Sequence, residues 1–111
     1  MPSLEKTKFD ENLYLHRIVG KEMAVVYAEF KKGAVHNNLR HSNEEFFYLI
    51  SGEMFAEIGN QPYTLKNGDG VLIPSNVLHS FSATETSIAL ITFAPPITHD
   101  MADNLLEESK K

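Results

Sequence analysis

Two histidines and one glutamate have the types and spacing that could hold a metal ion. Glu45 lies in an otherwise apolar run and His41 precedes it by four positions, so both point to one side of a strand that continues without a bulge. A buried carboxylate must be protonated, paired with a base or bound to a metal. His79 opens a later run and could complete a set of two imidazoles and one carboxylate, which suits iron, manganese, nickel or zinc. Spacing alone leaves open a hydrogen-bonded group without a metal.

The elements that must position these residues are short strands. Turn-forming residues recur at short intervals, as at Lys32-Gly33, Ser51-Gly52 and Gly59-Asn60, and this pattern indicates an all-β sandwich or barrel. A short helix beginning at Asp100 is predicted in the C-terminal tail. Runs rich in β-branched and aromatic residues predict strands at 13–19, 23–30, 45–50, 54–58, 71–73, 78–83 and 87–93.

The residues around Ser51-Gly52 predict a hairpin with a two-residue loop. In that register Ile50 pairs with Glu53 and Glu45 pairs with Ile58. Side-chain alternation places Glu45, Phe47, Leu49, Met54, Ala56 and Ile58 on one face and Phe46, Tyr48, Ile50, Glu53, Phe55 and Glu57 on the other. Both faces are largely apolar, so the second must be covered, either by another subunit in a homodimer or by strands 13–19 and 23–30 of the same chain.

Two segments resemble the two sequence motifs of the cupin family. Residues 33–52 follow the pattern G-x5-H-x-H-x3-E-x6-G at every position except Leu39. Residues 68–83 resemble G-x5-P-x-G-x2-H-x3-N, with Asn76 in place of a glycine and Ala83 in place of the asparagine. The resemblance implies a cupin double-stranded β-helix, which is a jelly-roll barrel. We therefore expect a single cupin domain over 1–111, with the barrel at 22–96, an N-terminal strand segment at 9–20 and a tail at 97–111.

The same resemblance implies a ligand set and a pocket. The implied metal ligands are His41, Glu45 and His79, and the residues that are either core or pocket lining are Leu39, Phe47, Met54 and Phe81. Leu39 stands where cupins usually place their first histidine ligand, so a four-ligand site does not form in the usual way. His36 is the candidate substitute, but its parity is opposite to that of His41. Only a turn or bulge at Asn37-Asn38 would bring it to the site.

The end of the last predicted strand resembles that of small single-domain cupins. The segment Phe93-Ala94-Pro95-Pro96 is similar to their Phe-Ser-Pro-Pro ending, in a group that includes pectin-degradation proteins, although Ile97 replaces the arginine that often follows. This resemblance implies a small-molecule pocket around a divalent transition metal. Three hypotheses follow: a metal-dependent isomerase, lyase or dioxygenase acting on a small polar substrate such as a sugar acid, a non-catalytic binding or sensory barrel, and a metal-free barrel.

Composition limits the other classes of function. The chain has 111 residues, of which 42% are hydrophobic, and a net charge of -5, so one globular domain is expected and a nucleic-acid partner is not. Cysteine is absent, which excludes disulfides and thiolate ligands, so any metal must be held by imidazole and carboxylate. No apolar run is long enough to span a membrane, and we expect a cytoplasmic protein.

Overall fold

The described part of the chain forms ten β-strands, which confirms the predicted all-β class. The computed structural model describes residues 12–96 and, for the backbone alone, residues 5–10. The helix predicted from Asp100 lies outside these residues, as do Ile97 and His99. The strands are β1 (Glu5–Asp10), β2 (Leu13–Val19), β3 (Ala24–Phe30), β4 (Val35–Leu39), β5 (Glu44–Ser51), β6 (Glu53–Ile58), β7 (Gln61–Lys66), β8 (Gly70–Ile73), β9 (His79–Ala83) and β10 (Ser87–Ala94).

The strands form two antiparallel sheets that face each other. The large sheet has the order β1-β2-β3-β10-β5-β8, and the small sheet has the order β4-β9-β6-β7. Alternate residues of each strand point between the sheets, and this interior is filled by apolar side chains. Phe47, Leu49, Met54 and Ile73 are at most 1% exposed. Within residues 12–96 no helix is long and apolar enough to cross a membrane.

The hairpin predicted around Ser51-Gly52 is wrong. Strand β5 pairs with β10 and β8, whereas β6 pairs with β7 and β9, so the two strands belong to different sheets. The chain turns a corner at Gly52, whose φ of 106° favours glycine and whose N–H donates to Asn67 Oδ1 at 2.8 Å. The predicted faces are nevertheless correct, because alternation depends on each strand alone: Glu45, Phe47, Leu49, Met54 and Ala56 are buried.

The second face of β5 is not covered by the N-terminal strands, and that alternative is also wrong. Strand β3 pairs with β10, and β2 pairs with β3, so both extend the large sheet sideways and do not lie over it. The outer face of the large sheet therefore exposes apolar side chains. Phe46, Tyr48, Leu72 and Leu90 are 45%, 37%, 56% and 38% exposed.

A bulge in β4 decides where its side chains point. His36 pairs with Phe81 and Leu39 pairs with His79, so two asparagines, Asn37 and Asn38, lie opposite a single residue of β9. Asn38 has a φ of 58°. The extra residue reverses the side-chain alternation, so His36 and Leu39 both face the interior. The bulge at Asn37-Asn38, which the sequence indicated as the condition for His36 to turn inward, is therefore present.

Candidate metal site at one end of the barrel

The three predicted ligands come together at one end of the barrel. His41 lies in the loop that joins β4 to β5, and not on a strand as its spacing from Glu45 suggested. Glu45 lies near the start of β5, between Phe93 of β10 and Ile73 of β8. His79 is the first residue of β9. Strands β5 and β9 both start at this end of the barrel. Their first inward side chains, Glu45 and His79, therefore lie next to His41 in the loop.

The distances from Glu45 to the two histidines match those between metal ligands. Glu45 Oε1 lies 3.0 Å from His41 Nε2 and 3.5 Å from His79 Nε2, and one ligand atom from each residue lies within 4.8 Å of the others. Ligand atoms bound at about 2.1 Å are separated by about 3.0 Å at a right angle and about 3.4 Å at the tetrahedral angle. Glu45 and His79 are 4% and 3% exposed, and His41 is half-buried.

Backbone carbonyls fix which ring nitrogen faces the site. His41 Nδ1 donates to the Asn43 carbonyl at 2.9 Å, and His79 Nδ1 donates to the Val77 carbonyl at 2.9 Å. A carbonyl oxygen only accepts, so Nδ1 carries the proton and Nε2 is directed at Glu45. His79 Nε2 is buried, and its nearest acceptor among the described residues is Glu45 Oε1 at 3.5 Å, in poor hydrogen-bond geometry. This donor set fits a divalent transition metal.

The pKa values reflect one shared carboxylate. Burial alone would raise the pKa of Glu45, but hydrogen bonds and the charges of His41 and His79 outweigh it and hold that pKa below its ordinary value. Burial alone would lower the pKa of His79, but its interaction with Glu45 raises it. Without a metal, both shifts favour an ionised Glu45 paired with a protonated His79, and this charge occupies the position where a cation would bind.

The remaining predicted residues lie in the interior around the triad. His36 is buried beside Phe30, with ring centroids 6.2 Å apart, and does not join the three-residue group. The rings of Phe47 and Phe81 stack at 4.2 Å, and Met54 is fully buried in the same core. Leu39 is half-buried and packs against that core directly opposite His79, which is its ladder partner on β9.

Sequence reasoning missed the residues that support His41. The ring of Phe93 lies edge-on to His41 at 5.6 Å, and the Asn43 carbonyl accepts its Nδ1 proton. The Phe93 contact could have been found from alternation, because Phe93 has the inward parity of its strand. Nothing in the sequence indicates that the carbonyls of Asn43 and Val77 orient the two imidazoles, since any residue carries such a group.

An antiparallel two-sheet barrel with two histidines and a glutamate gathered at one end defines a cupin-type protein. The chain belongs to the cupin family: the family described as Cupin domain matches residues 26–95. The predicted jelly-roll class and the resemblance to small cupins are thereby confirmed.

Known proteins of similar length resemble this chain in sequence or in structure. An uncharacterised protein of Streptomyces coelicolor is 24% identical over 88 residues, which cover 78% of this chain and 84% of that protein. KdgF from Halomonas sp. has a TM-score of 0.80 and 21% identity, covering 87% of this chain and 90% of its own. An RmlC-like cupin from Shewanella frigidimarina has a TM-score of 0.81 and 23% identity, covering 87% of both chains. At these identities the structures establish the fold alone.

Proposed function

We propose that this protein is a metal-dependent cupin enzyme that binds one divalent ion of iron, manganese, nickel or zinc through His41, Glu45 and His79. The observation that supports the proposal is the convergence of their ligand atoms within 4.8 Å of one another. Two neutral imidazoles and one carboxylate are ligands that these metals accept. Both rings are already held with Nε2 toward the carboxylate, so little conformational freedom is lost on binding.

The proposed reaction is isomerisation, lyase chemistry or oxygen insertion on a small polar substrate. A bound divalent ion would supply Lewis-acid polarisation of a substrate oxygen. Leu39 is the ladder partner of His79 and offers no ligand atom, so the coordination position next to Leu39 would be open to substrate. Phe93, which packs on the His41 ring, limits the access of water. A sugar acid is the substrate class that the resemblance to pectin-degradation cupins favours.

Metal content tests the proposal directly. The protein is purified without chelator or metal-affinity tag and analysed for transition metals, together with the variants His79→Ala and His16→Ala. His16 pairs with Glu29 at 3.4 Å, away from the site, and serves as the control. We expect roughly one ion per chain in the wild type and in His16→Ala, and loss of the ion in His79→Ala. Negligible metal in the wild type, with no uptake on titration, would reject the proposal.

The second candidate is a non-catalytic binding or sensory barrel, which the leucine at position 39 favours because it removes a usual ligand. A uronate incubated with the manganese-loaded protein in deuterated water distinguishes the two. Deuterium exchange into the sugar acid, or conversion of it, indicates the enzyme. A uronate that binds and is recovered unaltered and unexchanged indicates the binder. Oxygen consumption measured in parallel covers the dioxygenase case.

We also infer that the outer face of the large sheet pairs with a second copy of the chain. Phe46, Tyr48, Leu72 and Leu90 lie on adjacent strands and expose a continuous apolar surface without a charged side chain among them. These four side chains carry no charge, although the same face also presents Glu44 on β5 and Glu29 on β3, so the apolar patch that they form suits a two-fold interface. Sedimentation equilibrium should give the mass of two chains, with Tyr48→Glu reduced to one.

Phe55→Glu is the matched control for this experiment. Phe55 is 40% exposed on the outer face of the small sheet, where an added charge should leave the mass unchanged. A wild-type protein that sediments as a single chain at high concentration would contradict the inference.

A further inference from the structure

The loop between β4 and β5 contains a fully buried asparagine next to the metal site. Asn43 is 0% exposed, although amide side chains mostly lie at the surface. Its Nδ2 donates to the Pro95 carbonyl at 2.6 Å, and its Oδ1 is buried with no hydrogen-bond partner within residues 12–96. The amide therefore ties the loop to the end of β10, in an arrangement that leaves one of its own polar atoms unsatisfied.

The main chain of the same residue holds the first histidine of the site. The Asn43 carbonyl accepts the Nδ1 proton of His41 at 2.9 Å. Glu45 is held against the same strand, because Phe93 of β10 is its ladder partner. Both His41 and Glu45 are therefore positioned relative to the end of β10, one through Asn43 and Pro95 and the other through the ladder. Their 3.0 Å separation depends on both connections.

The loop also connects to the element that carries the second histidine. The backbone N–H of Asn76 donates to the His41 carbonyl at 2.8 Å, in the turn that leads to His79. A shift of the loop would therefore move His41 and disturb the approach to His79 at the same time. The side chain of Asn43 links this arrangement to the large sheet.

We propose that Asn43 is a positioning residue for the metal site, whose side-chain bond to Pro95 fixes the carbonyl that selects the orientation and tautomer of His41. Without that bond the carbonyl can move, and His41 no longer has a fixed acceptor for its Nδ1 proton. The Nε2-protonated tautomer, which donates to Glu45, then competes with the form that can ligate a metal. The expected consequence for the metal rests on the proposed function, but the effect on the tautomer does not.

Two variants separate the hydrogen bond from packing. Asn43→Leu keeps a similar volume but removes the donor, whereas Asn43→Ser keeps a donor in a smaller side chain. Asn67→Ala is the control, because Asn67 also bonds a backbone group, the Gly52 N–H at 2.8 Å, at a corner away from the metal site. If Asn43 only fills space, the leucine variant should resemble the wild type and the serine variant should not. If it acts through its donor, the order is reversed.

The first readout is titration of each protein with Co²⁺, followed by visible absorption. We expect Asn43→Leu to bind Co²⁺ about 10- to 100-fold more weakly and with an altered spectrum, as is typical when a group that orients a ligand is removed. Asn43→Ser should recover part of the affinity. Asn67→Ala should keep both affinity and spectrum. An Asn43→Leu protein that matches the wild type in both, or that binds more tightly than Asn43→Ser, would overturn the inference.

The second readout is long-range ¹H–¹⁵N NMR of the His41 ring in the metal-free proteins. We expect Nδ1 of His41 to be protonated in the wild type, where the Asn43 carbonyl accepts its proton, and to lose part of that protonation in Asn43→Leu, which leaves the proton on Nε2. An unchanged tautomer would overturn the positioning inference whatever the metal result. Wild-type protein that binds no Co²⁺, with a tautomer that still depends on Asn43, would instead reject the proposed function and leave the positioning inference supported.

Discussion

Replacing Leu39 with histidine should extend the three-residue group to a four-ligand metal site. Leu39 and His79 are ladder partners on β4 and β9 and both face the interior. Side chains of directly opposite residues have Cβ atoms about 4.5–5.5 Å apart, so an imidazole at position 39 lies beside the His79 ring and within reach of the same ion. The bulge at Asn37-Asn38 makes this possible, because it gives position 39 the inward orientation.

The size of the effect follows from the number of ligands. Structural zinc sites bind the ion with about 10–16 kcal/mol, which is about 2.5–4 kcal/mol for each of four ligands. We expect a gain of about 2–3 kcal/mol, or about 30- to 140-fold tighter binding. Leu39 packs against the core and is half-buried, so the metal-free variant should lose about 1 kcal/mol of stability.

The assay is a zinc titration in competition with a chromophoric chelator, with Leu39→Phe as the matched control. Phenylalanine supplies a planar ring of similar size without a ligand nitrogen, so it reports the effect of packing alone. We expect Leu39→Phe to bind zinc as the wild type does, or more weakly. A Leu39→His protein that binds no more tightly than Leu39→Phe would show that position 39 does not face the ion, and the register argument would fail.

Two further predictions concern stability. In metal-free protein the lowered pKa of Glu45 contributes stability above its ordinary value of 4.5, lost as the pH falls through the lowered pKa. The raised pKa of His79 contributes stability below its ordinary value of 6.5, lost as the pH rises through the raised pKa. The free energy of unfolding in urea should therefore receive its largest contribution from this pair between pH 4.5 and pH 6.5. A free energy of unfolding that keeps rising above neutral pH would contradict this. Gly52→Ala should cost about 1–3 kcal/mol more than Gly33→Ala, since both have positive φ but only the first new Cβ would collide with Ser87. Equal costs in urea would refute the collision.

The strands and their faces could be predicted because they depend on local alternation. Leu13–Val19 is a strand over the predicted residues, and the inward faces of β5 and β6 are the predicted ones. Strands that lack alternation were missed. Strand β4 contains two asparagines at its bulge, and β7 is an edge strand that contains Pro62. In both, the tertiary context supplies the strand geometry that the residue types do not favour.

Pairing could not be predicted from alternation, because a strand has the same inward residues whichever neighbour it has. The two-residue turn at Ser51-Gly52 is compatible with a hairpin and equally with a corner between sheets. The corner is determined by distant groups: the Gly52 N–H bonds to Asn67, and the Leu49 N–H bonds to the Asp69 carbonyl. Neither bond can be recognised from the residues around the turn. Whether Ser51-Gly52 forms a hairpin or a corner therefore depends on residues that are distant in the sequence.

The structure shows why His36 does not supply the ligand that is missing at position 39. Parity predicted that His41 and Glu45 converge, yet His41 reaches Glu45 from a loop, and that loop is positioned by contacts with β10 and the turn before His79. The bulge does turn His36 inward, which removes the objection from parity. His36 nevertheless pairs with Phe81, one inward position deeper along β9 than the His79 partner of Leu39. His36 is therefore kept out of the group by its distance along the barrel from His79 and not by the direction of its side chain. The number of metal ligands in this chain consequently depends on which residue stands at position 39.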